Sequence, residues 1–297
     1  MYPAAPYTSL YNPTMQLKVT HYHVDRSIAT ITLNRPERLN AWTGRMHTEY
    51  RWCLQIAETD PAVRVIVITG AGRGFCAGAD ARALEGHIQK GGYDPGTPAD
   101  IPHPGFGIRP EFDADFAYHF GLSKPTIAAI NGPAAGVGLV LACYCDIRFA
   151  AAGAKLTTAH GRLGLPAEYG LSWLLPRLIG LAPAMELLLS SRIFLAEEAY
   201  RLGLIHQLHP APDLMPAVYH YAHHLARTIA PSSLRETRRQ VYADLHRDIA
   251  SSVADAQRLL EQLSTGPDFR EGVAALLQKR EPNFLPLTPS RTAPPAN

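Results

Sequence analysis

Lys124–Ala151 reads KPTIAAINGPAAGVGLVLACYCDIRFAA. Its opening, KPTIAAIN, is a short and nearly unbroken apolar run, the pattern of a strand buried on both faces in a parallel sheet. NGPAAGVG interrupts that run with proline and glycines and turns the chain. LVLACYC enters an apolar helix, and CDIRFAA reads as a further strand. The stretch Ile127–Cys145 is the longest apolar one, but Asn131, Gly132, Pro133, Gly136 and Gly138 break it. A membrane span needs about 20 consecutive apolar residues, so buried strand, turn and helix is the reading, with no membrane association expected.

Upstream, VRVIVITG (63–70) repeats the buried-strand pattern. Before it, LKVTHYHV and SIATITLN alternate apolar and polar residues around Asp25-Arg26, which predicts a β-hairpin. Asn40 is a candidate cap for a helix with Trp42, Met46, Cys53, Leu54 and Ala57 at helical spacing, ended by Asp60-Pro61. Residues 85–116 read as a long loop without regular structure, since KGGYDPGTPADIPHPGFGIRP holds five prolines and five glycines. Downstream, AKLTTAH is a fourth strand-like run, and after residue 171 the chain turns helical. MPAVYHYAHHLARTIA carries Val218, Tyr221, Leu225 and Ile229 on one face. SSLRETRRQVYADLHRDIASSVADAQRLLEQL reads as one long helix, with another after Asp268. Strand–helix alternation followed by helices gives an α/β core with an α-helical appendage. The organisation expected is a flexible extension over 1–16, a core over 17–210, a helical region over 211–284 and a disordered tail over 285–297.

A chain of 297 residues can bury a large core unaided. With 28 basic and 26 acidic side chains, the net charge of +2 leaves no electrostatic footprint for nucleic acid. The N-terminus has no basic or apolar signal region. Four cysteines, Cys53, Cys76, Cys143 and Cys145, make neither a disulfide framework nor a Cys-x-x-Cys ligand set. A reducing, cytoplasmic compartment fits. His21/His23 and His223/His224 lack any HExxH-type spacing, so no metal is expected. No GxSxG elbow exists.

Two glycine-rich turns follow buried strands, and both can carry chemistry. GAGRGFCAGAD (70–80) fails the dinucleotide pattern, which would place glycine where Phe75 stands. Read with NGPAAGVG, it instead offers exposed backbone N–H groups suited to an anion or a developing oxyanion. Gly136 and Gly138 allow close backbone approach there.

NRPERLNA, GRGFCAGAD, KPTIAAINGPAAGVGLVLACYCDIRFAA, GLPAEYGLSWLLPRLIG, AEEAYRLGLI and FREGVAALLQKREPNF, in that order, resemble the crotonase (enoyl-CoA hydratase/isomerase) superfamily over about residues 17–284. The resemblance implies an α/β fold with a ββα spiral core and an α-helical C-terminal trimerisation region, and usually a homotrimer or a dimer of trimers. The implied substrate is an acyl-CoA thioester, with no cofactor beyond the CoA it carries. The thioester oxygen would lie between the N–H groups of Ala79 and Val137. Arg38, Ala41, Ala77, Gly78, Asp80, Gly136 and Tyr169 would contact substrate, and Arg35 and Arg38 are candidates for the phosphates. Asp80 reads first as the cap of the next helix.

The sequence departs from the family at the two usual catalytic glutamates, where Val140 and His160 stand. Glu168, eight residues after His160, matches a third acidic position that resembles the one used by dienoyl-CoA isomerases and chlorobenzoyl-CoA dehalogenases. A carboxylate in an apolar pocket has a raised pKa and makes a usable base; its alternative is a salt bridge to Arg162 or Arg177. His160 reads either as the acid/base partner or as a packed imidazole. The expectation is an enoyl-CoA hydratase-like lyase acting through an enolate, with isomerase activity, C–C or thioester hydrolysis, or acyl-CoA binding without catalysis as alternatives. The 85–116 loop, aromatic from Phe106 to Phe116, would shape the acyl pocket for a bulky or cyclic group. Arg235, Arg238, Arg239 and Arg247 read as a solvated or intersubunit face.

Overall fold

The computed structural model describes residues 15–91, 96–98 and 100–287. The expectations for residues 1–14 and 288–297 lie outside them. Strands β1 (Thr20–Asp25) and β2 (Ile28–Leu33) pair antiparallel across Arg26-Ser27. Both turn residues have positive φ, 43° and 68°, as a two-residue hairpin turn demands. The turn therefore sits one residue later than expected. Helix α1 (Gly44–Thr59) follows, capped by Thr43, whose Oγ1 accepts from Met46 N at 3.1 Å. Asn40 is not the cap. Leu39 and Asn40 adopt left-handed backbone, and Asn40 is wholly buried among loop carbonyls.

Strand β3 (Val65–Gly70) runs parallel to β2, and after α2 (Ala81–Lys90) the chain reaches β4 (Thr126–Ile130), β5 (Ala134–Ala135), α3 (Val137–Tyr144), β6 (Ile147–Ala151) and β7 (Lys155–Thr157). There follow α4 (Leu171–Ile179), α5 (Leu181–Ser190), β8 (Phe194–Leu195), α6 (Ala196–Arg201), β9 (Gln207–His209), α7 (Leu214–Thr228), α8 (Pro231–Asp244), α9 (Ile249–Leu263) and α10 (Pro267–Gln278). The main sheet has the order β1-β2-β3-β4-β6-β9, and β5, β7 and β8 form a small second sheet. The wholly helical reading after residue 171 thus missed β8 and β9, each too short to show a period.

Alternation explains why the central strands are apolar throughout. Ile66, Ile68, Ala128 and Ile130 face the core shared with α1 and α3. Val65, Val67, Ile127 and Ala129 pack beneath Leu214, Val218, Ala222 and Ala226 of α7. Both faces are covered, so neither can be polar. Val218 belongs to the buried face of α7 as expected, while Tyr221 and Leu225 flank it half-buried.

Two further expectations change. Helix α2 runs into the segment read as loop, and a 3₁₀ turn occupies Pro110–Phe112. This segment is packed: Gly105 and Gly121 approach so closely that a β-carbon on Gly121 would stand 1.9 Å from the Gly105 carbonyl oxygen. Arg51, 3% exposed, pins it by donating to the Pro102 carbonyl, His103 Nδ1 and Asp115 Oδ1. The long helix over 232–263 is in fact two, because Asp248 caps α9 by accepting from Ser251 N at 3.0 Å. Arg238 of α8 is no surface charge. Its guanidinium is buried, 2.8 Å from Asp146 Oδ2, and also donates to the carbonyls of His119, Phe120 and Leu122. Arg235, Arg239 and Arg247 do lie nearer the surface, in ion pairs with Glu236 and Asp255.

Candidate active site

Backbone hydrogen bonds clamp the two glycine turns together. Phe75 N and Cys76 N both donate to the Pro133 carbonyl at 3.1 Å, and Ala135 N donates to that of Cys76 at 3.0 Å. On the other side, Ala77 N donates to Leu39, Trp42 N to Gly78 and Asp80 N to Trp42. Residues 75–80 therefore run between the 39–42 and 133–135 segments. The glycines permit this spacing: a β-carbon on Gly138 would meet the Cys76 oxygen at 2.2 Å, and one on Gly132 the Arg73 oxygen at 2.1 Å. Two asparagines complete the joint. Asn40 Nδ2 donates to the carbonyls of Ala71 and Gly74, and Asn131 Nδ2 to those of Gly70 and Gly72. No sequence signal distinguishes these asparagines from ordinary turn residues.

The two turns touch, because the β-carbon position of Gly136 lies 3.9 Å from Gly78 Cα. Gly78 has φ +98° and Gly136 has φ +48°, and each rotates the peptide that presents the following N–H. Those N–H groups belong to Ala79 and Val137. Val137 opens α3, so its N–H has no intrahelical acceptor and sits at the positive end of the helix dipole. Among the described residues neither N–H donates a hydrogen bond.

Glu168 completes this corner. Its Oε2 lies 3.5 Å from the β-carbon position of Gly136. Burial pushes its carboxyl above the ordinary range, and nothing offsets this. No salt bridge to Arg162 or Arg177 forms; Arg177 lies over the Trp173 ring instead, 4.0 Å from its centroid. The Glu168 segment is bent by left-handed backbone at Tyr169 (φ +47°) and Gly170 (φ +74°). The Tyr144 hydroxyl donates to the Tyr169 carbonyl at 2.7 Å.

The remaining sequence candidates sort by what they touch. Arg35 is engaged by Asp80 Oδ2 at 2.8 Å and the Ala41 carbonyl at 2.6 Å, which removes it from the phosphate candidates. Asp80 also caps α2 through Arg82 N at 3.0 Å. Burial pushes its carboxyl up, yet the hydrogen bonds from Arg35 and Arg82 N and the charges of Arg35 and Arg38 bring it below the ordinary value. Arg38 is exposed, and its side chain makes no hydrogen bond or ion pair among the described residues. Val140 is buried in the apolar core, 1% exposed. His160 is buried with Nδ1 unpartnered, and no hydrogen bond joins it to Glu168. The four cysteines are buried and free, and burial pushes the Cys76 thiol up to about 12. No group of three or more His, Cys, Asp or Glu side chains gathers for a metal among the described residues, and no helix there is long and apolar enough to cross a membrane.

Beyond Glu168 the walls are aromatic. The Phe116 ring sits 4.9 Å from Tyr169 and also contacts Trp42, His47 and Tyr144. A cavity of about 460 Å³ opens beside this cluster, lined by Phe112, Phe120, Tyr144, Tyr169, Trp173 and His246 among others. His119 Nδ1 donates to the Phe116 carbonyl, which leaves Nε2 to accept from the Tyr50 hydroxyl at 2.7 Å. Burial holds this imidazole neutral, its pKa lowered to about 3.

The family model described as enoyl-CoA hydratase/isomerase matches residues 23–286. The 1,2-epoxyphenylacetyl-CoA isomerase of Escherichia coli K12 is 37% identical over 263 residues, 88% of this chain and 96% of that protein. A Mycobacterium tuberculosis protein named "Probable enoyl-CoA hydratase EchA12" is 37% identical over 291 residues, 95% of this chain and 97% of its own. The crystal structure of an enoyl-CoA hydratase from Bacillus anthracis superposes with a TM-score of 0.78 at 26% identity, covering 90% of this chain and 99% of that one.

Proposed function

Because the chain belongs to the enoyl-CoA hydratase/isomerase family, we propose that it isomerises an acyl-CoA thioester through an enolate, with Glu168 as its single base. The thioester oxygen accepts from Ala79 N–H and Val137 N–H. Glu168 breaks the C–H bond beside the thioester and takes the proton, and the electron pair moves onto that oxygen. Fixed donors aimed at such a charge are each worth about 2.7–4 kcal/mol. When the enolate collapses, Glu168 returns the proton to a different carbon, so the product has the mass of the substrate.

One observation carries this reading: a partly buried carboxylate, unpaired among the described residues, 3.5 Å from the β-carbon position of Gly136, the residue that introduces the Val137 N–H. Hydration would need a second proton-handling group. Of the two positions where the family resemblance leads one to look, one holds apolar Val140 and the other His160, which is buried and makes no hydrogen bond to Glu168. The aromatic cluster around Phe116 and Tyr169 supports a bulky or cyclic acyl group, and the Escherichia coli relative is named for a cyclic one, 1,2-epoxyphenylacetyl-CoA.

Exposed Arg38 is the phosphate contact. The apolar side chains of Leu181, Met185, Leu189 and Ile193, exposed in the single chain, support self-association as a homotrimer or dimer of trimers, which light scattering tests. The deciding assay is mass-resolved turnover of 2-enoyl, 3-enoyl and arylacyl-CoA thioesters by the wild type and Glu168→Gln. An isomer of unchanged mass that vanishes in the variant is expected. A product heavier by water would restore hydration, and a free acid would restore hydrolysis. CoA-ester binding with no turnover in either form would favour a non-catalytic binding protein.

A further inference from the structure

One short helix serves both halves of the site. The first residue of α3 is Val137, whose N–H has no acceptor within the helix, and its last is Tyr144. Seven residues of helical rise separate them by about 10 Å. Tyr144 is 4% exposed, its ring held against Phe116, His119 and Phe120. The carbonyl ends of the helix are in turn gripped by Arg148, which donates to Ala142, Cys143 and Cys145. The hydroxyl therefore has a fixed place. From there it donates to the Tyr169 carbonyl, and it stands 2.9 Å from the β-carbon position of Gly170.

Tyr169 needs such a restraint. A tyrosine at φ +47° occupies backbone space that bulky residues rarely adopt, and it persists only where the surroundings impose it. We propose that Tyr144 is a positioning residue, whose bond to the Tyr169 carbonyl holds the 168–170 turn in the conformation that aims Glu168 at the Gly136–Val137 corner. The oxyanion donor and the base are thereby registered to opposite ends of the same rigid element. This inference rests on Glu168 being the base.

The test is Tyr144→Phe, which keeps the ring and its packing and removes only the hydroxyl. On the acyl-CoA ester that the wild type turns over, kcat should fall about ten- to hundredfold, the scale of a small misplacement of a reacting group. KM should stay within about twofold, and the acid limb of the kcat–pH profile should move, because the Glu168 carboxylate changes surroundings. In the Glu168→Gln background the same substitution should leave the residual rate unchanged, since a group acting only through another has nothing left to position. Wild-type kcat and an unmoved profile in a folded Tyr144→Phe overturn the inference while leaving Glu168 as base. An equal loss in both backgrounds overturns it too, by making the hydroxyl act directly. A Tyr144→Phe that fails to fold overturns it as well, by making the hydroxyl a structural necessity. Full activity of Glu168→Gln alone would instead bring down the functional reading on which it depends.

Discussion

The two glycine turns and the 158–170 segment meet at one corner but are built differently. Residues 70–80 and 131–138 are joined by reciprocal backbone hydrogen bonds, with no space for a β-carbon at Gly70, Gly132 or Gly138. Residues 158–170 hang on side chains: Ser191 Oγ receives Gly161 N, and the Tyr144 hydroxyl holds the Tyr169 carbonyl. Residues 161–166 are exposed. The proposed oxyanion hole is thus made of peptide groups that survive most side-chain replacements. The proposed base is a single side chain on a lightly tethered turn.

The largest effect should come from striking the tethered half. Glu168→Gln is expected to cut turnover by about 10²–10⁴, the usual contribution of a positioned acid/base, with CoA-ester binding retained by calorimetry. It should also raise the melting temperature at neutral pH. The sign follows from the raised pKa. A carboxyl that holds its proton more tightly folded than unfolded favours the native state at low pH. That advantage is lost as pH rises through the two pKa values, and the charged form is then penalised by burial. Removing the charge removes the penalty, at the expense of function. If the melting temperature falls instead, Glu168 is a structural ion after all.

The same shift predicts the rate profile. Activity should decline as pH falls through a midpoint above the ordinary carboxylate range, because the base must be deprotonated. That limb should be absent from any residual activity of Glu168→Gln.

Striking the rigid half should damage the fold before the chemistry. Gly138→Ala drives a methyl into the Cys76 carbonyl, and overpacking of this kind costs about 1–3 kcal/mol or more. Urea unfolding measures it. A variant that keeps wild-type stability and loses only kcat would show that the turn can flex, and would blur the contrast.

The smallest effects separate two neighbouring arginines. Arg35→Ala leaves Asp80 without its charged partner and should cost about 1–3 kcal/mol of stability. Arg38→Ala should leave stability unchanged and raise KM for a CoA ester a few-fold, an effect that fades at high salt.

The sequence resolved these pairs unevenly. Arg35 and Arg38 sit three residues apart in one motif, and nothing local says which is claimed by Asp80, 45 residues downstream of Arg35. Likewise, four arginines looked equivalent in the C-terminal helices, and of these four Arg238 is the one the fold buries, against an acid 92 residues away. Asn40 looked like a helix cap because asparagine prefers caps. Burial gave its amide three backbone partners elsewhere. The break before α9 was legible in principle, since Asp248 stands ahead of a new apolar period, but unbroken helical composition concealed it.

Periodicity, turn chemistry and motif order are local properties, and from them the sequence by itself determined the α/β class, the buried parallel strands, the two glycine turns, the family and the candidacy of Glu168. The contact between those turns, the absence of a partner for Glu168 among the described residues and the tether from Tyr144 to Tyr169 were decided only by tertiary structure. They depend on distances between residues far apart in the chain, and on which of several chemically equal groups the packed core removes from water.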